Sequence, residues 1–313
     1  MQRRHDAADT EDGHEQPSEQ HRDERIEHTE RTVRRNERHE RIDAARDDRR
    51  FGNRQRRVVG LERSERRQVL VIESVAGQAW RFRTLVEREA SVRFARLATD
   101  LKAHGFAAPL VDLAQRAAED EKRHAALCLD LAQELEAPVE EGGWEAPRLA
   151  PRDLEGRDAL LYEIAAQCCV AETESMATLT TLMEAMTPSR YREAVVAIAK
   201  DEIDHARLGW AVLEAARTPL AFLEPHLAAM LETGGAPLFR SSPLEAESEE
   251  LIAFGVLPHA EKRRVFEEAL ADVIVPGFTR LGIATNAIDA WLTRARRGAV
   301  PAEAHSIDPH ARE

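Results

Sequence analysis

The sequence predicts an all-α fold, and three observations lead there. Aromatic residues make up only 5% of the 313-residue chain while 43% of it is hydrophobic, so its apolar content lies mostly in Ala, Leu and other helix formers. Val, Ile and Thr rarely alternate with polar residues, which removes the signature of a half-buried strand. From about Val75 onward, apolar residues recur every three to four positions, the period of a helix with one buried face.

Residues 1–57 stand apart from this pattern. They carry 15 Arg against 15 acidic residues, and Ile26, Val33, Ile42 and Phe51 are isolated among charges. Such a segment cannot offset its ordering entropy with a core, so a disordered tail is expected, or a solvated charged helix over about 23–50 held by i,i+4 pairs. Its five histidines, at positions 5, 14, 21, 28 and 39, suggest metal capture by composition alone.

A four-helix bundle is expected over 58–217. The first helix should run over 76–104 and stop at Gly105; the second should open near Pro109, cover 109–136 and stop before Pro138. The next stretch, 139–157, holds three glycines and two prolines and has no period of its own. Antiparallel neighbours need only a few connecting residues, so this one reads as a long helix 2–3 crossover running the length of a bundle. A third helix is expected over 158–185, a turn with an N-cap at Thr187-Pro188-Ser189-Arg190, and a fourth helix over 190–217. Residues 218–313 read as a C-terminal helical extension with pieces at 221–233, 244–254, 258–274 and 284–297. Pro276 and Gly277 are expected to break the run there, and the chain to fray from Gly298.

Composition excludes several classes of protein. The three cysteines, Cys128, Cys168 and Cys169, form no CxxC pair, which suits reduced thiols in a cytoplasm and cannot build a zinc ribbon or rubredoxin-type cluster. The first thirty residues lack an apolar core, and no long uncharged apolar stretch occurs, so neither a signal peptide nor a membrane span is expected. The formal charge of −13 falls entirely on residues 58–313, and an acidic body is a poor binder of nucleic acid.

Chemistry enters through a repeated figure. Asp120-Glu121-Lys122-Arg123-His124 and Asp201-Glu202-Ile203-Asp204-His205 each place an ExxH within a helix, 81 residues apart. Residues i and i+3 share a helix face, so each motif aims a carboxylate and an imidazole at one spot on an otherwise apolar stripe. The first and third helices add Glu87 and Glu172, which precede the motif glutamates by 34 and 30 residues, about the length of a helical hairpin. Burying bare carboxylates costs several kcal/mol per unpaired ion. Four carboxylates and two neutral imidazoles would be neutralised by two divalent cations, and mixed oxygen and nitrogen donors suit iron or manganese. The metal-ligand set is therefore Glu87, Glu121, His124, Glu172, Glu202 and His205. A ligating imidazole needs an acceptor on its other nitrogen, and Asp120 is expected to support His205, and Asp201 to support His124. Glu89 and Glu174 should be solvated, although a one-face error would exchange them for Glu87 and Glu172. Cys128 and Cys168 sit one turn from ligand positions, as core fillers or as redox thiols. Trp80, Phe94 and Met176 read as packing.

The stretches 87–94, 119–128, 170–173 and 200–210 resemble the ferritin-like di-iron carboxylate superfamily, and most of all bacterial ferritin-like domain proteins with two DExxH motifs. They lie within residues 80–217, under half of the chain. The resemblance implies two iron ions, or manganese or a mixed Fe/Mn pair, and chemistry with O2 or H2O2. Departures narrow it. Cys128 stands where ribonucleotide reductase small subunits place a radical tyrosine, and Met176 where multicomponent monooxygenases place a threonine. Ile198 falls where arylamine N-oxygenases carry an extra histidine, and the rubredoxin iron site of rubrerythrins is lacking.

The expected function is a cytoplasmic non-haem dimetal oxidoreductase, of the oxidase or oxygenase kind, that activates O2 or peroxide. It would draw electrons from an external donor, since no GxGxxG fingerprint occurs. Neither nucleic acid nor membrane is an expected partner, and two copies could form a homodimer. The alternatives are iron oxidation and storage without an organic substrate, and an interaction scaffold with an idle metal site that docks partners through 218–313.

Overall fold

The computed structural model of the chain describes residues 63–139 and 145–298, and among these every regular element is helical. The tail over 1–57, part of the crossover and residues 299–313 lie outside the described residues.

Helices α1 (Arg63–Ala103) and α2 (Ala108–Glu134) form the first hairpin, turning at Gly105 with φ of +71°. Pro109 lies in the first turn of α2, where a missing N–H costs nothing. The third rod consists of α3 (Gly156–Ile164), a π-helical stretch (Ala165–Ala171) and α4 (Glu172–Ala185) in line. Ser189 caps the fourth rod, α5 (Arg190–Ala215), its hydroxyl accepting from the Arg192 N–H at 3.2 Å. Four rods with one long connection between the second and third make a ferritin-like bundle.

Two charged side chains order the aperiodic crossover. Arg96 donates to the Ala146 carbonyl at 2.6 Å and to Glu163 at 3.1 Å, and the buried Glu163 accepts from the N–H groups of Leu149 and Ala150. Apolar side chains gather in two clusters along the bundle. One includes Phe94, Leu97, Leu161, Leu208 and Phe266; the other includes Ile72, Trp80, Leu131, Leu179 and Val195. Between them on the rods lie the buried polar residues Glu87, Glu121, His124, Glu172, Glu202 and His205.

The structure corrects three expectations. Helix α1 begins at Arg63 rather than near residue 76, and Ile72 in the added stretch is buried in one cluster with Leu251 and Phe254 of the extension. That partner is remote in sequence, so a local reading could not see it. Pro276 and Gly277 do not break the chain: α7 (His259–Ala269), a π-helical stretch (Leu270–Ile274) and α8 (Val275–Arg280) run on without interruption. The wider π turn accommodates the proline's missing donor. A Cβ on Gly277 would lie 2.5 Å from the Trp210 ring, so this glycine permits close packing of the extension on α5. The third correction is one of phase. Beyond the π stretch Met176 and Met183 are only half-buried, and Thr178, Leu179, Leu182 and Met186 face the core.

The rest of the extension is shorter-stepped than expected. A 3-10 turn (Ala221–His226) leads into α6 (Leu227–Gly235), the 244–254 piece forms two 3-10 turns (Leu244–Glu247 and Glu249–Phe254), and α9 (Asn286–Arg296) comes last. The Trp80 indole N–H donates to the Phe254 carbonyl at 2.7 Å, which ties α1 to this region.

Candidate metal centre

Each rod delivers one part of a single buried cluster. Ligating atoms of Glu87, Glu121, His124 and Glu202 lie within 4.8 Å of one another, and so do those of Glu121, Glu172, Glu202 and His205. Glu121 and Glu202 belong to both groups, so the cluster describes two adjacent positions that share two carboxylates.

The imidazoles are oriented alike. His124 Nδ1 faces Glu121 at 3.3 Å and Glu202 at 3.8 Å, and His205 Nδ1 faces Glu121 at 3.1 Å and Glu202 at 3.4 Å. Their Nε2 atoms point outward, to Asp201 at 3.1 Å for His124 and to Asp120 at 3.4 Å for His205. Each aspartate thus meets the histidine of the opposite motif.

Several inward atoms approach closely without the alignment of a hydrogen bond. Glu121 Oε1, Glu202 Oε2 and His205 Nδ1 are buried and have no hydrogen-bond partner. Native proteins rarely leave such atoms unsatisfied. Converging oxygen and nitrogen lone pairs at this spacing fit a pair of divalent cations, since each orphaned atom is a ligand atom aimed at the shared centre.

Without metal, protons must carry the positive charge. Burial, then the neighbouring Glu121, pushes Glu87 well above the usual carboxylate range, and burial followed by Glu202 does the same to Glu172. Burial also opposes ionisation of Glu121, but its close contacts with His124 and His205 prevail and lower it to about 2. The converse holds at His205: burial lowers it, yet contacts with Glu121 and Glu202 raise it to about 12. His124 is raised against the same burial term by Glu121.

Three residues around the centre escaped the sequence reading. Arg123, inside the first motif, pairs with Asp120 at 2.6 Å and Asp201 at 3.1 Å, joining the two outer carboxylates. Its i,i+3 spacing from Asp120 was the available signal. Gln167, in the π stretch, donates to Glu172 at 2.6 Å and accepts from Arg93 at 2.7 Å. Arg83 donates from Nε to Glu87 at 3.2 Å.

Other expected residues fall as follows. The Glu89 side chain is 46% exposed, whereas Glu174 is only half-buried rather than solvated, and burial raises its carboxyl. The widened turn before α4 sets this phase. Cys128 and Cys168 are fully buried, and burial, then Glu87 and Glu172 respectively, pushes both thiols far up, so they remain protonated. A Cβ on Gly209 would lie 2.6 Å from the Cys168 Cβ, so cysteine and glycine form a close helix contact beside the centre.

A cavity of about 390 Å³ opens between α1 and the third rod and reaches Glu87 and Glu172. Trp80, Leu182, Met230, Leu257 and Phe266 line it, so the extension supplies part of its wall. No described helix is long and apolar enough to cross a membrane.

No family model and no curated protein matches the sequence. Among solved structures, a Synechococcus protein with aldehyde deformylating oxidase activity superposes with a TM-score of 0.47 at 15% identity, covering 72% of this chain and 97% of that one. A likeness of that degree decides nothing about ligands or chemistry, which rest on the geometry above.

Proposed function

We infer that the chain is a non-haem dimetal oxidoreductase, with two iron ions as its metal pair, that turns O2 or peroxide on an organic substrate. The cavity carries this reading: a space of about 390 Å³ touching Glu87 and Glu172 gives a small molecule access to the cluster. When bound, the metal pair supplies redox chemistry and a site for the oxidant.

The chain's own residues do the rest. Glu121 and Glu202 would bridge the two positions, with Glu87 and His124 completing one and Glu172 and His205 the other. Asp120 and Asp201 fix the tautomers of the imidazoles by accepting from Nε2, which leaves Nδ1 free to ligate. Gln167 orients Glu172 through its amide N–H. Phe94, with its ring 5.1 Å from that of His205, and the apolar clusters on either side exclude water. Electrons come from a separate donor.

The test is stoichiometric oxidation. Metal-free protein is loaded anaerobically with Fe(II), exposed to O2 and followed by Mössbauer spectroscopy. Oxidation that stops at two ions per chain supports the oxidoreductase; continued uptake into a mineral supports iron storage, and absence of bound iron supports the scaffold.

A further inference from the structure

One wall of the cavity carries charged side chains outside the proposed ligand set. Arg83 on α1, Glu174 on α4 and Lys262 on α7 all line it. The Arg83 guanidinium stands 5.8 Å from the centroid of the Trp80 ring, and its Nε holds Glu87. The Lys262 ammonium makes no ion pair or hydrogen bond among the described residues, yet it lies within electrostatic reach of both Arg83 and Glu174. The Lys262 residue is half-buried, its stem lying against the cavity wall, so its ammonium is placed to meet a ligand there.

Glu87 and Glu172, which also line the space, belong to the proposed ligand set, and Glu89 pairs with Arg93. Beyond these, two cationic side chains, Arg83 and Lys262, and one carboxyl, Glu174, face a largely apolar space.

We propose that the cavity takes a small amphipathic carboxylic acid as its substrate, the carboxylate held between Lys262 and Arg83 and the hydrocarbon body lying along Trp80, Leu182, Leu257 and Phe266. This rests on the cavity being the substrate site of the proposed oxidoreductase. It also gives the extension a task, since Lys262 lies outside the four-helix bundle and selects what reaches the cluster.

Octanoate and 1-octanol form a matched pair of probes, titrated into the full-length chain by calorimetry both with and without Mn(II), the metal content being measured on the same samples. Octanoate should bind at least about tenfold tighter than 1-octanol in both forms. Lys262→Met should erase that preference with 1-octanol binding unchanged, and Glu174→Gln, which removes the competing carboxylate, should strengthen octanoate binding. Equal affinity for the two probes, no binding of either, or a preference that survives Lys262→Met overturns the proposal. A preference seen only in the metal-loaded form also overturns it, because the carboxylate is then a metal ligand. Failure to take up Mn(II) counts against the dimetal reading alone, since the metal-free arm still tests the pocket.

Discussion

Replacing Asp201 by Ala removes the acceptor at 3.1 Å from His124 Nε2 while leaving every proposed ligand in place. Loss of such an outer partner weakens metal affinity by roughly 10- to 100-fold, or about 1.4–2.7 kcal/mol. The structure selects the lower end. The Asp201 side chain is 29% exposed, so water can enter and accept from the stranded imidazole N–H. About a tenfold loss is therefore expected at the position that His124 serves. Asp120→Ala acts on the other imidazole across a longer contact of 3.4 Å, and its effect should be no larger. Because the two aspartates serve different histidines, the losses should multiply in the double variant, apart from a small coupling through Arg123, which pairs with both. Competition of Mn(II) against a chelator at fixed pH and salt measures this, with thermal melts to confirm folding. Parental affinity in Asp201→Ala would refute the outer-partner argument.

Metal binding should release protons, since Glu87, Glu172, His124 and His205 are all shifted toward their protonated forms in the metal-free cluster. Affinity must then fall as pH falls, which calorimetry in buffers of different ionisation enthalpy will show. Gln167→Leu strips a buried amide from both Arg93 and Glu172 and should cost about 1–3 kcal/mol in urea unfolding; a change under about 0.5 kcal/mol would count against the relay. Gly209→Ala forces a methyl against Cys168 and should destabilise by about 1–3 kcal/mol, read as a lower melting temperature.

The bundle was legible in the sequence because its rods obey local rules. Gly105, Pro109 and Ser189 mark turns that the chain makes, and the ExxH spacing alone forces Glu121 with His124, and Glu202 with His205, onto one face. Hairpin length then placed Glu87 and Glu172 level with them. What stayed hidden depends on packing between distant segments. Ile72, before the expected start of α1, is buried in one cluster with Leu251 and Phe254, and no periodicity within residues 63–75 announces that contact. The π stretch before Glu172 is a departure from helical period, so a reading built on a period of 3.6 misplaced Met176 and Glu174. Arg83 and Lys262, far apart in the sequence, are set against one cavity only by the fold.

The account depends on six side chains from four rods forming two cation sites in a dry interior. Anaerobic titration of the metal-free full-length chain with Fe(II), counting bound iron per chain, tests this most directly. Saturation at two ions, with neither site filled when Glu121 and Glu202 are both replaced by Ala, is the predicted result. A parental chain that binds no iron, or a doubly substituted chain that still binds two ions, would contradict it.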